Sequence, residues 1–292
     1  MRAEESIAFL LDHQKPDGGF PYAAAGGSVV EATAFSLLAL SGHDRAGAAV
    51  KRGTDYLASL QNANGGWLLF CGDNLSSAYG TALACLALAA IDAGGFKSRL
   101  DEAAFYLRND HRYVKDADLA EDVWGWNNDT NVGTEPTAMA VLALKRLGSL
   151  PAEREAQAAR FFARLRCDDG GWSYGAPIDK NDPRSKTSVC AVLPQQLHVT
   201  ALVLLAMQDK QGDFRDGLAI IDAECPKSRC PLSLSLSALA VHGYGGDNRD
   251  ILSRLDAVMA SDGQVRGMVF YQALTALAHQ TSLGRNPLCL KR

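Results

Sequence analysis

Apolar residues recur along the chain in two alternating kinds of segment. The first kind carries an apolar stripe beside a charged face, as from Lys51 to Leu60, where Tyr56, Leu57 and Leu60 share one side, and from Glu153 to Arg166. The second kind is rich in Ala and Leu nearly all round. FSLLAL follows Thr33-Ala34, LACLAL follows Thr81-Ala82, MAVLAL follows Thr137-Ala138 and LVLLAM follows Thr200-Ala201. A helical stripe predicts an amphipathic surface helix, and an apolar circumference predicts a helix buried on most sides. Two weaker copies of the second kind run from Pro231 to His242 and from Val269 to His279. Each follows a helical stretch, near Phe214 to Ala223 and near Ile251 to Ala260.

The two kinds are joined by a repeated turn. Ser6 to Phe20, Lys51 to Trp67 and Ala159 to Trp172 each pass from a helix through Gly-Gly to an aromatic residue. Glycine ends a helix and accepts positive φ, which lets the aromatic fold back over the helix end. Six such pairs predict an all-α fold, an (α/α)6 toroid, with residues 1–292 as one domain and almost no sheet. The charged first helices form the outer ring and the apolar second helices the inner ring. Closure of the ring removes the exposed end repeats of an open solenoid. Trp67 and Trp172, inside the turns, read as packing residues.

Charge and composition narrow the function. The net charge is −4, and no Lys/Arg cluster is present beyond Arg160, Arg164 and Arg166 on the solvated side of one helix, which excludes a nucleic-acid surface. No apolar run approaches the length of a membrane span, and MRAEESIAFLLDHQ lacks the form of a signal peptide. Seven cysteines, an odd count, with Cys85 and Cys190 within or beside apolar segments, predict reduced thiols and a cytoplasmic protein. Cys225 and Cys230, five apart, leave a disulfide or half a metal site open. Cys289 lacks the neighbours of a prenylation signal.

Arg52-Gly53, Tyr56-Leu57, Gln61, Gly65 and Trp67 resemble the QW repeat of squalene and oxidosqualene cyclases, with a related pattern in protein prenyltransferase β subunits. The first copy has Phe20 for Trp, the fourth has Arg166 for Gln, and the third is distorted around Trp124-Gly125-Trp126. The resemblance implies a barrel that takes an isoprenoid or another long apolar small molecule, with no cofactor. It also implies that a homodimer or a helical partner subunit covers the open end, and it leaves peripheral membrane contact open. The departures are specific. The cyclase motif Asp-x-Asp-Asp before Thr-Ala is absent, and Asp116, Asp118, Asp179 and Asp182 lie in polar loops. Of the prenyltransferase zinc ligands only His198 matches, with Glu135 in place of Cys and Gly133 in place of Asp, so no stoichiometric zinc is expected. Polysaccharide lyases and glycosidases share the architecture, and the QW-like turns argue against them.

The repeat register locates a candidate site. The residue two before each Thr-Ala stands at the start of an inner helix, at one rim. Round the ring these are Glu31, Tyr79, Glu135, His198, about Leu232, and Phe270. The resemblance places the catalytic Asp of terpene cyclases at this same position. Glu31, Glu135 and His198 are the candidate catalytic residues, and Tyr79, Trp126, Tyr174 and Phe270 the candidate substrate-binding residues. A carboxyl beside a second carboxylate in an apolar cavity keeps its proton near neutral pH and serves as a general acid, with a histidine to receive it. Two other readings stand beside this one. Glutamate in a first turn is favoured by the helix dipole and then only caps, and Glu135 with His198 makes two metal ligands, fewer than zinc needs. The functional alternatives are an enzyme acting on an isoprenoid and a barrel that binds a lipid or a protein segment without chemistry. The register makes Glu135 and His198 neighbours and sets Glu31 across the opening.

Overall fold

The computed structural model describes residues 2–69, 75–109, 112–113, 122–127, 132–174 and 195–290. Among them the helices are α1 (Arg2–His13), α2 (Val30–Leu40), α3 (Gly47–Ser59), α4 (Ala78–Asp92), α5 (Lys97–Asn109), α6 (Thr134–Arg146) and α7 (Ala152–Arg164). They continue with α8 (Leu197–Ala206), the short α9 (Gln211–Phe214), α10 (Gly217–Glu224), α11 (Pro231–Gly243), α12 (Arg249–Ser261), the short α13 (Gly263–Arg266) and α14 (Val269–His279). The strands described are β1 (Arg112–Tyr113) and β2 (Asp122–Val123), an antiparallel pair with Arg112 opposite Val123. No described helix is long and apolar enough to cross a membrane. Asp116, Asp118, Asp179, Asp182 and Cys190 lie outside the described residues.

The apolar helices close a ring. Helices α2, α4, α6, α8, α11 and α14 pack each against the next, and α14 packs against α2. The amphipathic helices lie outside, in an arrangement the repeat pattern does not state. Each outer helix packs mainly on the inner helix that precedes it: α3 on α2, α5 on α4, α7 on α6, α10 on α8, α12 on α11. Helix α1 completes the series by packing on α14, from the far end of the chain. The inner helices are closed to solvent round their circumference. Every residue of α4 from Ala78 to Ala89 and of α6 from Thr134 to Leu144 is buried. Faces turned to the ring axis are as inaccessible as those turned outward, so side chains fill the axis rather than lining a channel.

The repeated turns have a defined chemistry. Gly18, Gly65 and Gly170 have φ of 90°, 86° and 95°, which only glycine adopts without strain. The aromatic that follows binds both rings. The indole N–H of Trp67 donates to Leu57 O, that of Trp124 to Leu107 O and that of Trp172 to Phe162 O, each at 2.7 Å, on the outer helix before it. Their backbone N–H groups donate to the hydroxyls of Thr81, Thr137 and Thr200 at 2.9, 3.2 and 3.0 Å. Phe20 does the same to Thr33 at 2.8 Å. The Thr of each Thr-Ala therefore fastens the turn to its inner helix, satisfying a buried donor.

The glutamine of the repeat ties neighbouring outer helices together. Gln61 Nε2 donates to Gly65 O at 2.9 Å and to Arg99 O at 3.0 Å, and Gln14 Nε2 donates to Gly18 O and Ala49 O, both at 2.8 Å. Arg166 takes over that role in another form: its Nε donates to Gly170 O at 3.0 Å, its guanidinium pairs with Asp216 at 3.7 Å at the start of α10, and it lies 5.4 Å from the Trp172 ring.

Candidate functional site

The sequence register holds to the residue. Glu31, Tyr79, Glu135, His198, Leu232 and Phe270 are each the second residue of an inner helix. Parallel inner helices bring these first turns to one rim. A second set of residues crosses the same rim. The segment leaving each turn is lashed over the start of the preceding inner helix: Tyr22 O accepts from Phe270 N at 3.2 Å, Trp126 O from Ala78 N at 3.1 Å, and Tyr174 O from Thr134 N at 3.0 Å. Tyr22, Trp126 and Tyr174 all stand two residues after the aromatic of their turns, so the repeat itself delivers three aromatic side chains to this rim, the bowl of the toroid.

The polar groups run along one arc of the rim, from α2 to α8. Glu31 receives two phenols, Tyr22 on Oε2 and Tyr79 on Oε1, the latter at 3.0 Å. Tyr79, buried on α4, packs its ring against Trp126 with centroids 4.9 Å apart. Glu135 follows on α6, 8% exposed, with its Oε1 3.5 Å from His198 Nε2 on α8. The Tyr174 hydroxyl stands 3.0 Å from the same imidazole nitrogen. Glu135 and His198 are thus neighbours. Glu31 belongs to the same arc, joined to it through Tyr79, rather than standing across the opening.

Burial governs the ionisation of this arc. It pushes the Glu135 carboxyl up to about 7, helped by the negative charge of Glu31. It raises Glu31 as well, against the two phenols, which favour its charged form. Burial holds His198 down to about 4, so its imidazole is neutral near pH 7. Tyr22 and Tyr79 are pushed well above the ordinary phenol range, first by burial and then by Glu31, and remain hydrogen-bond donors. The arrangement can therefore hold one proton on Glu135 beside a carboxylate, with a neutral imidazole in reach to accept or return it.

The remaining candidates take different places. Trp126 is half-buried and Tyr174 is 37% exposed, and both edge the bowl. Phe270 is buried, wedged against Tyr22 at 5.4 Å and Phe35 at 5.7 Å, and it supports Tyr22 rather than facing outward. Tyr22 is missing from the sequence-derived set. Its place in Phe20-Pro21-Tyr22, matching Trp126 and Tyr174, is the signal that points to it. Cys230, at the start of α11, acts on the Tyr174 and Tyr271 phenols and so also lies at the rim. Cys225 and Cys230 are both free thiols. Among the described residues no group of three or more His, Cys, Asp or Glu side chains is arranged to hold a metal ion.

The chain is 29% identical over 218 residues to drimenyl diphosphate synthase of Streptantibioticus cattleyicolor, an alignment that covers 70% of this chain and 40% of that protein. The chain thus spans less than half the length of this curated relative. Among solved structures it superposes on the α-1,6-mannanase GH76A from Salegentibacter sp. HEL1_6 with a TM-score of 0.65 at 11% identity, covering 97% of this chain and 98% of that one. The endo-β-1,4-glucanase CMCax from Acetobacter xylinum gives 0.60 at 13% identity, over 97% and 98%. These two share the toroid and nothing finer. Residues 27–185, which include Glu31, Tyr79, Trp126, Glu135 and Tyr174, match the family model of the squalene-hopene cyclase C-terminal domain. With more than half of its residues covered by that match, the chain belongs to the squalene-hopene cyclase C-terminal domain family.

Proposed function

We propose that the rim is an acid–base site for an isoprenoid chain, at which the Glu135 carboxyl delivers a proton to a carbon–carbon double bond. The observation that carries this reading is the Glu135 carboxyl itself, buried at the second position of an inner helix and pushed up to about 7 beside a second carboxylate. A trisubstituted alkene takes the proton at one carbon and becomes a tertiary carbocation at the other. The new C–H bond uses the alkene electron pair, and the electron pair of the broken O–H bond stays on Glu135 as a carboxylate. Negative charge on Glu31 and Glu135 and the ring faces of Trp126 and Tyr174 then stabilise the cation. Loss of an adjacent proton to the Glu135 carboxylate, directly or by way of His198, ends the reaction and resets the site. Kinship with a family of terpenoid cyclases supports an isoprenoid as the substrate class.

With the ring axis filled, the substrate in this reading lies across the rim rather than down the barrel. The proposal therefore includes a cover for the bowl, from a second copy of this single toroid or from a helical partner. The test is conversion of squalene and of farnesyl diphosphate by the purified chain, followed by mass spectrometry. Conversion lost in Glu135→Gln with the melting temperature retained supports the reading, and undiminished conversion in that variant ends it.

A second reading, a non-catalytic barrel that binds a lipid or a protein segment at the bowl, is favoured by the burial of the inner helices on all sides. Saturable isoprenoid binding by the wild type without conversion, unchanged in Glu135→Gln, selects it.

A further inference from the structure

We propose that Tyr22 and Tyr79 clamp Glu31 as a fixed carboxylate, and that this immobile negative charge adds to burial in holding the proton on Glu135. The proposal deepens the acid reading of Glu135 and rests on it for its catalytic meaning. Tyr22 and Tyr79 are positioning residues here, acting through Glu31, whose charge acts on Glu135 before any cation forms.

The geometry of the clamp suits an ionised Glu31. Each of its two oxygens accepts one phenol hydrogen, Oε2 from Tyr22 and Oε1 from Tyr79. A protonated carboxyl would make one of these phenols rotate its hydroxyl hydrogen away and accept instead, giving up one of the two donors. Packing holds both phenol rings in place. The Tyr22 carbonyl is bonded to Phe270 N at 3.2 Å and its ring meets the Phe270 ring edge-on at 5.4 Å. The Tyr79 ring is buried against Trp126 at 4.9 Å. Two donors held in place by packing favour the charged carboxylate.

Among the described residues the carboxyl on which this charge acts is Glu135. Glu135 is faced by Tyr79 from α4, by His198 from α8, by Tyr174 from the segment crossing its helix, and by the Glu31 charge from α2. His198 is neutral and the phenols carry no charge near pH 7, so Glu31 supplies the field. Charged groups on the outer helices are engaged elsewhere. Arg52 bonds Gln14, Lys51 pairs with Asp55 at 2.8 Å, Arg154 with Asp122 at 3.0 Å, and Lys145 with Glu155 at 2.9 Å. On α14, Phe270 faces Tyr22, and Tyr271 lies under the influence of Cys230. With both phenols in place Glu31 ionises first, and Glu135 holds its proton against a like charge.

The test is a titration of Glu135 in the protein without substrate, by NMR of glutamate labelled at the carboxyl carbon. It reports whether or not the protein proves to be an enzyme. Glu31→Gln should lower the Glu135 midpoint by about one pH unit, the scale of losing a like charge beside a buried carboxyl. Tyr22→Phe should lower it in the same direction by less. In the Tyr22→Phe/Glu31→Gln double variant the Tyr22 change should add nothing, because it acts only through Glu31. If the enzyme reading also holds, the alkaline limb of the activity profile moves down with the midpoint in each variant. An unchanged midpoint in Glu31→Gln, with the fold intact by circular dichroism, overturns the proposal. So does a Tyr22→Phe shift of equal size with and without Glu31.

Discussion

Nε2 of His198 lies 3.5 Å from Oε1 of Glu135, and burial moves the two groups in opposite directions. Glu135 rises from 4.5 to about 7, and His198 falls from 6.5 to about 4. The raised carboxyl contributes stability that is fully present below pH 4.5 and is lost as pH rises through about 7. The depressed imidazole contributes stability that is present above pH 6.5 and is lost as pH falls through about 4. Over the shared window the two slopes cancel. Relative to wild type, His198→Gln should therefore gain stability as pH falls from 6.5 to about 4, and Glu135→Gln should lose it as pH falls from about 7 to 4.5. Each change should reach about 3 kcal/mol across its window. Urea midpoints measured against pH decide it, and slopes identical to wild type in both variants would count against the assigned environments.

Two buried hydroxyls should respond oppositely to removal. The Thr81 hydroxyl accepts the Trp67 backbone N–H at 2.9 Å, so Thr81→Val leaves that donor buried and unpaired, at a cost of about 1–3 kcal/mol. The Ser235 hydroxyl is buried without a hydrogen-bond partner, so Ser235→Ala should be neutral or stabilising. Chemical denaturation of the two variants side by side gives the sign of each.

Gly65→Ala should be among the most damaging single changes. Its φ of 86° strains any other residue, and an added Cβ would lie 2.5 Å from the Glu102 carbonyl oxygen on the next outer helix. A loss of more than about 2 kcal/mol is expected, from backbone strain and the clash together. Gly170→Ala meets nothing nearer than 3.7 Å and should lose only the part due to its positive φ. Melting temperatures of both separate the two contributions.

Arg166→Gln should be tolerated within about 1 kcal/mol, because a glutamine amide can make the same bond to Gly170 O that Gln61 makes to Gly65 O. Arg166→Ala should cost more, since it also loses the contact with the Trp172 ring. Equal losses in the two variants would show that the guanidinium's charge matters more than its donor.

Much of this was legible in the chain. The Gly-Gly-aromatic turns and the Thr-Ala starts marked the first four repeats, weaker apolar copies the last two, and the spacing from Thr-Ala put Glu31, Tyr79, Glu135 and His198 on one rim. The bond from each threonine hydroxyl to the turn explains why the motif is so regular: the residue that sets the register also holds the turn. Tyr22 was hidden because its importance comes from where the chain crosses a neighbouring helix, and no spacing within one repeat reports that. Phe270 matched the register but lies under Tyr22, because position in a helix fixes the rim and not the direction of exposure. The filled axis was equally invisible, since a helix apolar all round has the same sequence whether its inner face meets a ligand or another side chain.

The pairing of α1 with α14 has a consequence for how the protein is made. Every other outer helix begins within about a dozen residues of the end of its inner partner. Helix α1 emerges first and must wait for the last inner helix before its apolar stripe is covered. Until then its own stripe and the flank of α2 that α14 will cover stay open to water and to other chains. The seam between α1 and α14 is thus the slow, high-contact-order step of assembly, and the place where a nascent copy is most exposed to aggregation.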